Sequence, residues 1–277
     1  FAYITACYII SGLSFIPALW FLFHGQSAPA SLGIWVTIAC LVHGINSTIW
    51  REDVVNRHPV WCDISSQIIL IYSTGSICSC LCIAKFLAYA LSPQAIAINS
   101  TIRRQINIRN YGFSFGFPLA MVPFHYLYAP TRFGLVRTMG CEASYVLTWP
   151  AFICFIIWAP IFGMIAAAYT GYVAIRLYKL RSLGSSTKWG PGPSKFPIKR
   201  LAWMCITYVF VAVPLSIYYL IVLLKNGGYS AFILTNIRLF QTAPTFYDSL
   251  ALIGGGIYVI FFTFSSDLRS VYWAVWK

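Results

Sequence analysis

Residues 64–84 read ISSQIILIYSTGSICSCLCIA, a stretch without a single Asp, Glu, Lys or Arg. An apolar run of about 18 or more residues can cross a bilayer as an α-helix, because each residue adds about 1.5 Å along the helix axis. Comparable uncharged runs cover 1–50, which is long enough for two crossings, and 110–131, 143–175, 201–224 and 249–266. The sequence therefore predicts an all-α membrane protein, a seven-transmembrane-helix bundle.

The composition agrees with one integral membrane domain over 1–277. Hydrophobic residues make up 59% of the chain and charged residues only 9%, whereas a soluble domain carries roughly 25% charged residues. No cleavable signal peptide is expected, because Phe1 opens directly into an apolar run. We expect helices at about 1–23, 31–50, 62–91, 111–129, 149–180, 198–224 and 243–264, and a short amphipathic tail at 265–277.

The distribution of positive charge predicts that the N-terminus lies outside and the C-terminus in the cytoplasm. In this orientation 13 of the 19 Lys and Arg residues fall on the cytoplasmic side, which is the side that membrane proteins enrich in positive charge. The net charge of +13 is therefore a topology signal. We expect no nucleic-acid binding, because no basic helix face is interleaved with aromatic residues at a soluble surface.

The cysteines separate into two groups. Seven of the nine lie within apolar spans, where a free cysteine packs as a small hydrophobic side chain. Only Cys62 and Cys141 sit at the outer face, which is the oxidising side, so they are the predicted disulfide pair. We expect no metal site and no cofactor, because none of the four His residues pairs with another at metal-ligand spacing.

Polar and aromatic groups near the outer ends of the spans are the candidate ligand-binding residues. His43 and Asn46 share one face of the second helix, where they either line a ligand cavity or make an interhelical hydrogen bond. Asp63 and Asp248 either meet a cationic group of a ligand or an outer-loop Arg, or are solvated charges at helix ends. The outer aromatic residues fit an interfacial belt and, in part, a wide apolar cavity for a lipid-bearing or aromatic ligand. The full set is His43, Asn46, Trp61, Asp63, Glu142, Tyr145, Tyr218, Phe246, Tyr247 and Asp248.

The inner face is basic, and two explanations remain open for it. These charges either reflect the orientation of the chain in the membrane and attract anionic lipid, or they bind an acidic cytosolic partner. The candidate docking residues are Lys85, Arg103, Arg104, Arg176, Arg181, Lys199 and Arg200. Pro214, in the middle of the sixth helix, is the predicted hinge, because proline removes a backbone hydrogen bond and kinks a helix.

Five sequence blocks carry a resemblance to a known family. They are INSTIWREDVVNRHPVWCDIS at 45–65, Leu81-Cys82-Ile83, Thr131-Arg132-Phe133 ahead of Gly140-Cys141, Trp158-x-Pro160, and SSDLRSVYW at 265–273. These blocks resemble those of fungal mating pheromone receptors of the a-factor type, class D of the G-protein-coupled receptors. The resemblance spans nearly the whole chain. The chain departs from the family at Cys78-Ser79-Cys80, where Pro-Ala is usual before Leu-Cys-Ile, and at Lys85, where Arg is usual.

The resemblance implies a multi-pass plasma-membrane receptor for a small peptide pheromone with a prenylated C-terminal Cys. It also implies coupling to a heterotrimeric G protein. Membrane lipid is a further expected partner, and a homodimer is left open. The alternative from another class is a seven-helix transporter or channel, which needs a polar pathway where the mid-membrane positions here are almost all apolar. A membrane enzyme would need a His or acid cluster that the sequence lacks, so no enzyme activity is expected.

Overall fold

The structure, a computed structural model, describes residues 1–92, 100–144, 148–182, 198–226 and 250–263. Its α-helices are α1 (Ala2–Phe23), α2 (Ser27–Ile49), α3 (Pro59–Ala90), α4 (Ser100–Tyr111), α5 (Phe117–His125), α6 (Trp149–Ala151), α7 (Trp158–Ser182), α8 (Ile198–Asn226) and α9 (Leu250–Phe262). A π-helical turn, Gly112–Gly116, joins α4 to α5, and a second, Phe152–Ile156, follows α6. Two short strands, β1 (Gly134–Val136) and β2 (Gly140–Glu142), pair antiparallel and form the hairpin.

Apolar helices dominate the described part of the chain. Five helical segments there are long and apolar enough to cross a membrane: Ala2–Phe23, Ser27–Ile49, Pro59–Ala90, Trp149–Lys179 and Arg200–Tyr218. A shorter apolar helix covers Ala251–Phe262. These helices confirm an all-α membrane protein. Seven crossings and the orientation of the termini stay predictions, and the tail at 265–277 lies outside the described residues.

The beginnings of two helices differ from the prediction. α2 begins at Ser27 rather than 31, and α3 begins at Pro59 rather than 62. Each helix has a proline in its first turn, at Pro29 and at Pro59. The first N–H groups of a helix have no intrahelical acceptor, so a residue without an N–H is tolerated there. Pro29 and Pro59 therefore mark the beginnings of these helices and not the loops before them.

The predicted connection at 92–110 is also wrong in its second half, because the chain is helical from Ser100 onward. α4 is polar, so hydropathy gives no indication of it. Its side chains hold the turn between α1 and α2: Arg103 donates to the carbonyl of His24 at 2.6 Å, and Asn107 donates to that of Gly25 at 3.0 Å. These contacts stabilise a helical extension that the sequence alone does not predict.

Trp35 ties α2 to α3 and to the first π-helical turn. Its indole N–H donates to the carbonyl of Ser114 at 3.0 Å. Pro118 stands four residues after Ser114 and has no N–H to offer that carbonyl, so the indole supplies the missing donor. The ring lies directly over Gly75 of α3. A side chain from a distant helix thus donates to a carbonyl that has no α-helical partner.

The glycines of α9 allow it to pack closely against the first two helices. A Cβ added to Gly255 would lie 2.5 Å from Cγ2 of Ile10. Further along the helix, the hydroxyl of Tyr258 donates to the carbonyl of Pro29 at 3.2 Å. This part of α9 is therefore a close-packed surface in the structure.

Pro214, the predicted hinge, lies inside α8 with its ring exposed. The helix continues on both sides of it, from Ile198 to Asn226. A hinge motion at Pro214 stays a prediction.

Candidate ligand-binding cavity

A cavity of about 480 Å³ lies between α3, α7, α8 and α9, and the hairpin borders it at one end. Most of its wall is apolar, with contributions from Ile69, Ile77, Phe155, Val211 and Leu215. Its polar side chains are His43, Tyr72, Ser73, Thr74, Glu142, Tyr208 and Ser216. Ligand sites commonly have this character, with an apolar wall and a few polar groups that orient the ligand.

The hairpin is fixed on the ends of α2 and α3 at the border of the cavity. Cys62 and Cys141, the predicted pair, are joined by a disulfide with their Cα atoms 5.1 Å apart. The side-chain amide of Asn46 donates to the carbonyl of Cys141 at 3.2 Å. Gly140 has φ +82°, a conformation that glycine adopts readily, and its backbone packs against Asn46 and Trp50. These contacts place Glu142, the residue after Cys141, in the cavity wall.

The structure separates the two polar candidates of α2. His43 is buried and lines the cavity. Asn46 is fully buried, and its amide carbonyl accepts from the indole N–H of Trp61 at 2.8 Å, in addition to its bond to Cys141. The predicted cavity role therefore fits His43, whereas the predicted packing role fits Asn46 and its partner Trp61.

Of the remaining predicted ligand residues, the two that the structure describes do not line the cavity. Asp63 forms an ion pair with Arg132 of the Thr131-Arg132-Phe133 block, in which the Arg Nε lies 3.2 Å from one carboxylate oxygen. Tyr218 is exposed on α8 and does not line the cavity. The last four candidates, Tyr145, Phe246, Tyr247 and Asp248, lie outside the described residues.

Two cavity-lining tyrosines, which both lie close to Gly254 of α9, were not predicted from the sequence. Tyr72 of α3 and Tyr208 of α8 are buried and line the cavity. A Cβ on Gly254 would lie 3.0 Å from the Tyr72 hydroxyl and 3.5 Å from Cε2 of Tyr208. The available signal was a hydroxyl in the middle of each apolar span, but nothing local indicates that the two converge.

A group of thiol and hydroxyl side chains joins three helices beside the cavity. The Sγ atoms of Cys80 and Cys205 are 3.5 Å apart, and the Thr170 hydroxyl is also 3.5 Å from the sulfur of Cys205. Cys205 precedes Tyr208 by about one turn of α8. One face of α8 therefore contacts both the cavity and the α3–α7 packing.

The predicted docking residues also have different surroundings. Lys85 and Arg104 are exposed, whereas Arg103 is held by the His24 carbonyl. Arg176 donates to the hydroxyl of Tyr172 at 3.0 Å. Arg200 is half-buried. The side chains of Arg181 and Lys199 lie outside the described part of the structure.

Comparison with known proteins gives a match over the full length of the cavity-forming bundle. The model of the pheromone A receptor family, STE3, matches residues 2–277. The chain is 24% identical over 288 residues to the pheromone B alpha 1 receptor of Schizophyllum commune, which covers 96% of this chain and 45% of that protein. It is 27% identical over 169 residues to the pheromone B beta 1 receptor of the same fungus, which covers 61% of this chain and 31% of that receptor.

A relative from another fungus has a similar level of identity. Pheromone receptor 2 of Mycosarcoma maydis is 23% identical over 147 residues, which cover 53% of this chain and 42% of that receptor. The chain spans less than half the length of each of these three relatives. Because the family match extends over nearly every residue, this chain belongs to the STE3 family of fungal pheromone receptors.

Proposed function

We propose that this chain is a G-protein-coupled receptor of the plasma membrane for a mating pheromone, a small peptide that is prenylated on its C-terminal Cys. The observation that carries the proposal is the mostly apolar cavity of about 480 Å³, bordered by the disulfide-linked hairpin. The hairpin end is then the outer end. The seven crossings are α1, α2, α3, α4–α5, α6–α7, α8 and α9.

The wall of the cavity suits a hydrocarbon chain. Burial of one methylene-sized group contributes about 0.8 kcal/mol, so a prenyl chain of roughly 15 carbons gains on the order of 10 kcal/mol before the costs of association. Glu142 and His43 on the same wall supply polar groups for the peptide part. A transported polar solute would gain little from such a lining, so the cavity favours the receptor over the transporter.

The opposite end of the bundle is the proposed contact for the G protein. Arg104 and Lys85 are exposed there, and they can meet acidic groups of a cytosolic partner. α8 connects the two ends, because Arg200 lies in its first turn and Tyr208 and Leu215, farther along the helix, line the cavity. A ligand that binds better to one arrangement of α8 shifts the population toward that arrangement, and Pro214 is the proposed hinge for this change.

Guanine-nucleotide exchange tests the proposal. Membranes that contain this chain and a fungal heterotrimeric G protein are treated with farnesylated peptides that end in Cys methyl ester, or with the same peptides without the farnesyl group. We expect exchange to rise with the farnesylated peptides only. A folded receptor that responds to none of a broad peptide panel would contradict the proposal, and solute uptake would then test the transporter.

Filling the cavity should weaken the response to prenylated peptides. Ala159 lines the cavity, and in Ala159→Phe the added ring occupies space that the prenyl chain needs. We expect the concentration for half-maximal exchange to rise by about tenfold, which corresponds to roughly 1.4 kcal/mol of binding free energy. Ala168→Phe is the matched control, because Ala168 is exposed on the same helix. Equal potency in the two variants would place the prenyl chain elsewhere.

A further inference from the structure

The cavity wall includes a short segment that is held at both of its ends. This segment comprises residues 141–144, and its two middle residues, Glu142 and Ala143, line the cavity. On one side of them, Cys141 is bonded to Cys62 and accepts a hydrogen bond from Asn46. On the other side, the carbonyl of Ser144 lies 3.0 Å from Nε2 of His125. The position of Glu142 therefore depends on His125 as well as on the disulfide.

His125 connects this segment to two helices. It is the last residue of α5, and no part of its side chain reaches solvent. A carbonyl can only accept, so Nε2 must carry the proton that it donates to Ser144. The other ring nitrogen, Nδ1, lies 2.9 Å from the side-chain amide of Gln67 on α3. The ring is also packed edge-on against Tyr128, with centroids 5.4 Å apart, so its orientation is determined from three sides.

We propose that His125 is a positioning residue that fixes Glu142 in the cavity wall and thereby sets which peptide ligands the cavity accepts. This inference rests on the proposed function, since it concerns the peptide part of the same ligand. A carboxylate held at one point of an apolar wall discriminates by charge, because a misplaced or like charge is strongly disfavoured where water is excluded. The ligand class that follows is a prenylated peptide with a basic rather than an acidic residue beside the modified Cys.

Two variants separate positioning from simple packing. His125→Leu keeps a buried apolar side chain but removes the donor to Ser144. His125→Gln keeps an amide N–H that can reach the same carbonyl, so it should restore the wild-type behaviour. His58→Leu is the control, because His58 is an exposed histidine at the start of α3.

The first measurement does not depend on a ligand. Hydrogen–deuterium exchange of the amides in 141–144 should become about tenfold faster in His125→Leu, and should stay at the wild-type rate in His125→Gln and His58→Leu. An unchanged exchange rate in His125→Leu would overturn the positioning role. This exchange measurement needs no peptide ligand. It therefore tests the positioning role of His125 even if every peptide fails in the functional assay and the proposed function is wrong.

The second measurement is ligand selectivity. Farnesylated peptides with Lys or Glu beside the Cys methyl ester are compared by the concentration that gives half-maximal nucleotide exchange. We expect the wild-type receptor to favour the Lys peptide, and His125→Leu to reduce that preference by about tenfold while maximal exchange is retained. Equal loss of potency for both peptides, or a wild-type receptor that does not distinguish them, would overturn the selectivity role.

Discussion

Gly75→Ala is expected to prevent accumulation of the folded receptor. The added Cβ would lie 2.6 Å from Nε1 and 2.7 Å from Cζ2 of Trp35, distances that no real Cβ contact tolerates. The indole cannot move away easily, because it is buried and bonded to the carbonyl of Ser114. Either the hydrogen bond or the α2–α3 packing must be lost, at about 3 kcal/mol or more. Size-exclusion profiles and thermal unfolding of the detergent-solubilised protein measure this loss.

Gly112→Ala is the matched control for this prediction. Gly112 is also a helical glycine, but a Cβ there would meet no atom within 4 Å. Alanine has a higher helix propensity than glycine by about 1 kcal/mol, so this variant should be at least as stable as the wild type. Similar unfolding temperatures for the two variants would show that α2 and α3 do not approach each other at Gly75.

Loss of the disulfide should remove the response to pheromone. The bond joins residues that are 79 positions apart in the sequence, and closure of a loop of that length stabilises a fold by about 4 kcal/mol in the chain-entropy account. In the variant with both Cys62→Ser and Cys141→Ser, the hairpin loses its covalent link to α3 and is held by weaker contacts, among them the hydrogen bond from Asn46 to the Cys141 carbonyl and the ion pair of Arg132 with Asp63. We therefore expect the cavity wall at Glu142 to become mobile and peptide binding to fall by at least about a hundredfold.

Binding of a labelled farnesylated peptide to membranes measures this effect, and treatment of the wild type with a reducing agent should reproduce it. Cys154→Ser is the control, because Cys154 is a free, half-buried cysteine on the second π-helical turn. Full binding after removal of both half-cystines would contradict a role of the hairpin in shaping the cavity. An equal loss in Cys154→Ser would indicate general instability instead.

The candidate site was predictable only in part. His43 and Glu142 were predicted to contact a ligand, and both line the cavity. Asn46 was predicted to contact a ligand for the same reasons of polarity and position as His43. Its side chain instead forms hydrogen bonds with the Cys141 carbonyl and the Trp61 indole. Both residues lie on one helix, and their neighbours on other segments decide which of them faces the cavity. Local sequence contains no information about those neighbours.

Other contacts follow from packing between distant segments. Pro118 removes a donor by itself, but only the tertiary structure shows that Trp35 replaces it. The convergence of Tyr72 and Tyr208 on Gly254 depends in the same way on the rotation of three helices about their axes. The bond from His125 to Ser144 joins a helix end to a loop that carries no local signal for it.

The sequence by itself determined the membrane class, the approximate positions of the apolar helices and the pairing of Cys62 with Cys141. Transfer of a segment from water to lipid depends on the sum of its own side chains, and the predicted topology leaves only these two cysteines on the oxidising side. The tertiary structure decided that the polar stretch from Ser100 onward is helical. It also decided where the cavity lies and which polar residues line it. These depend on close approach of surfaces from different helices, and each approach is set by the shape and hydrogen bonding of both partners.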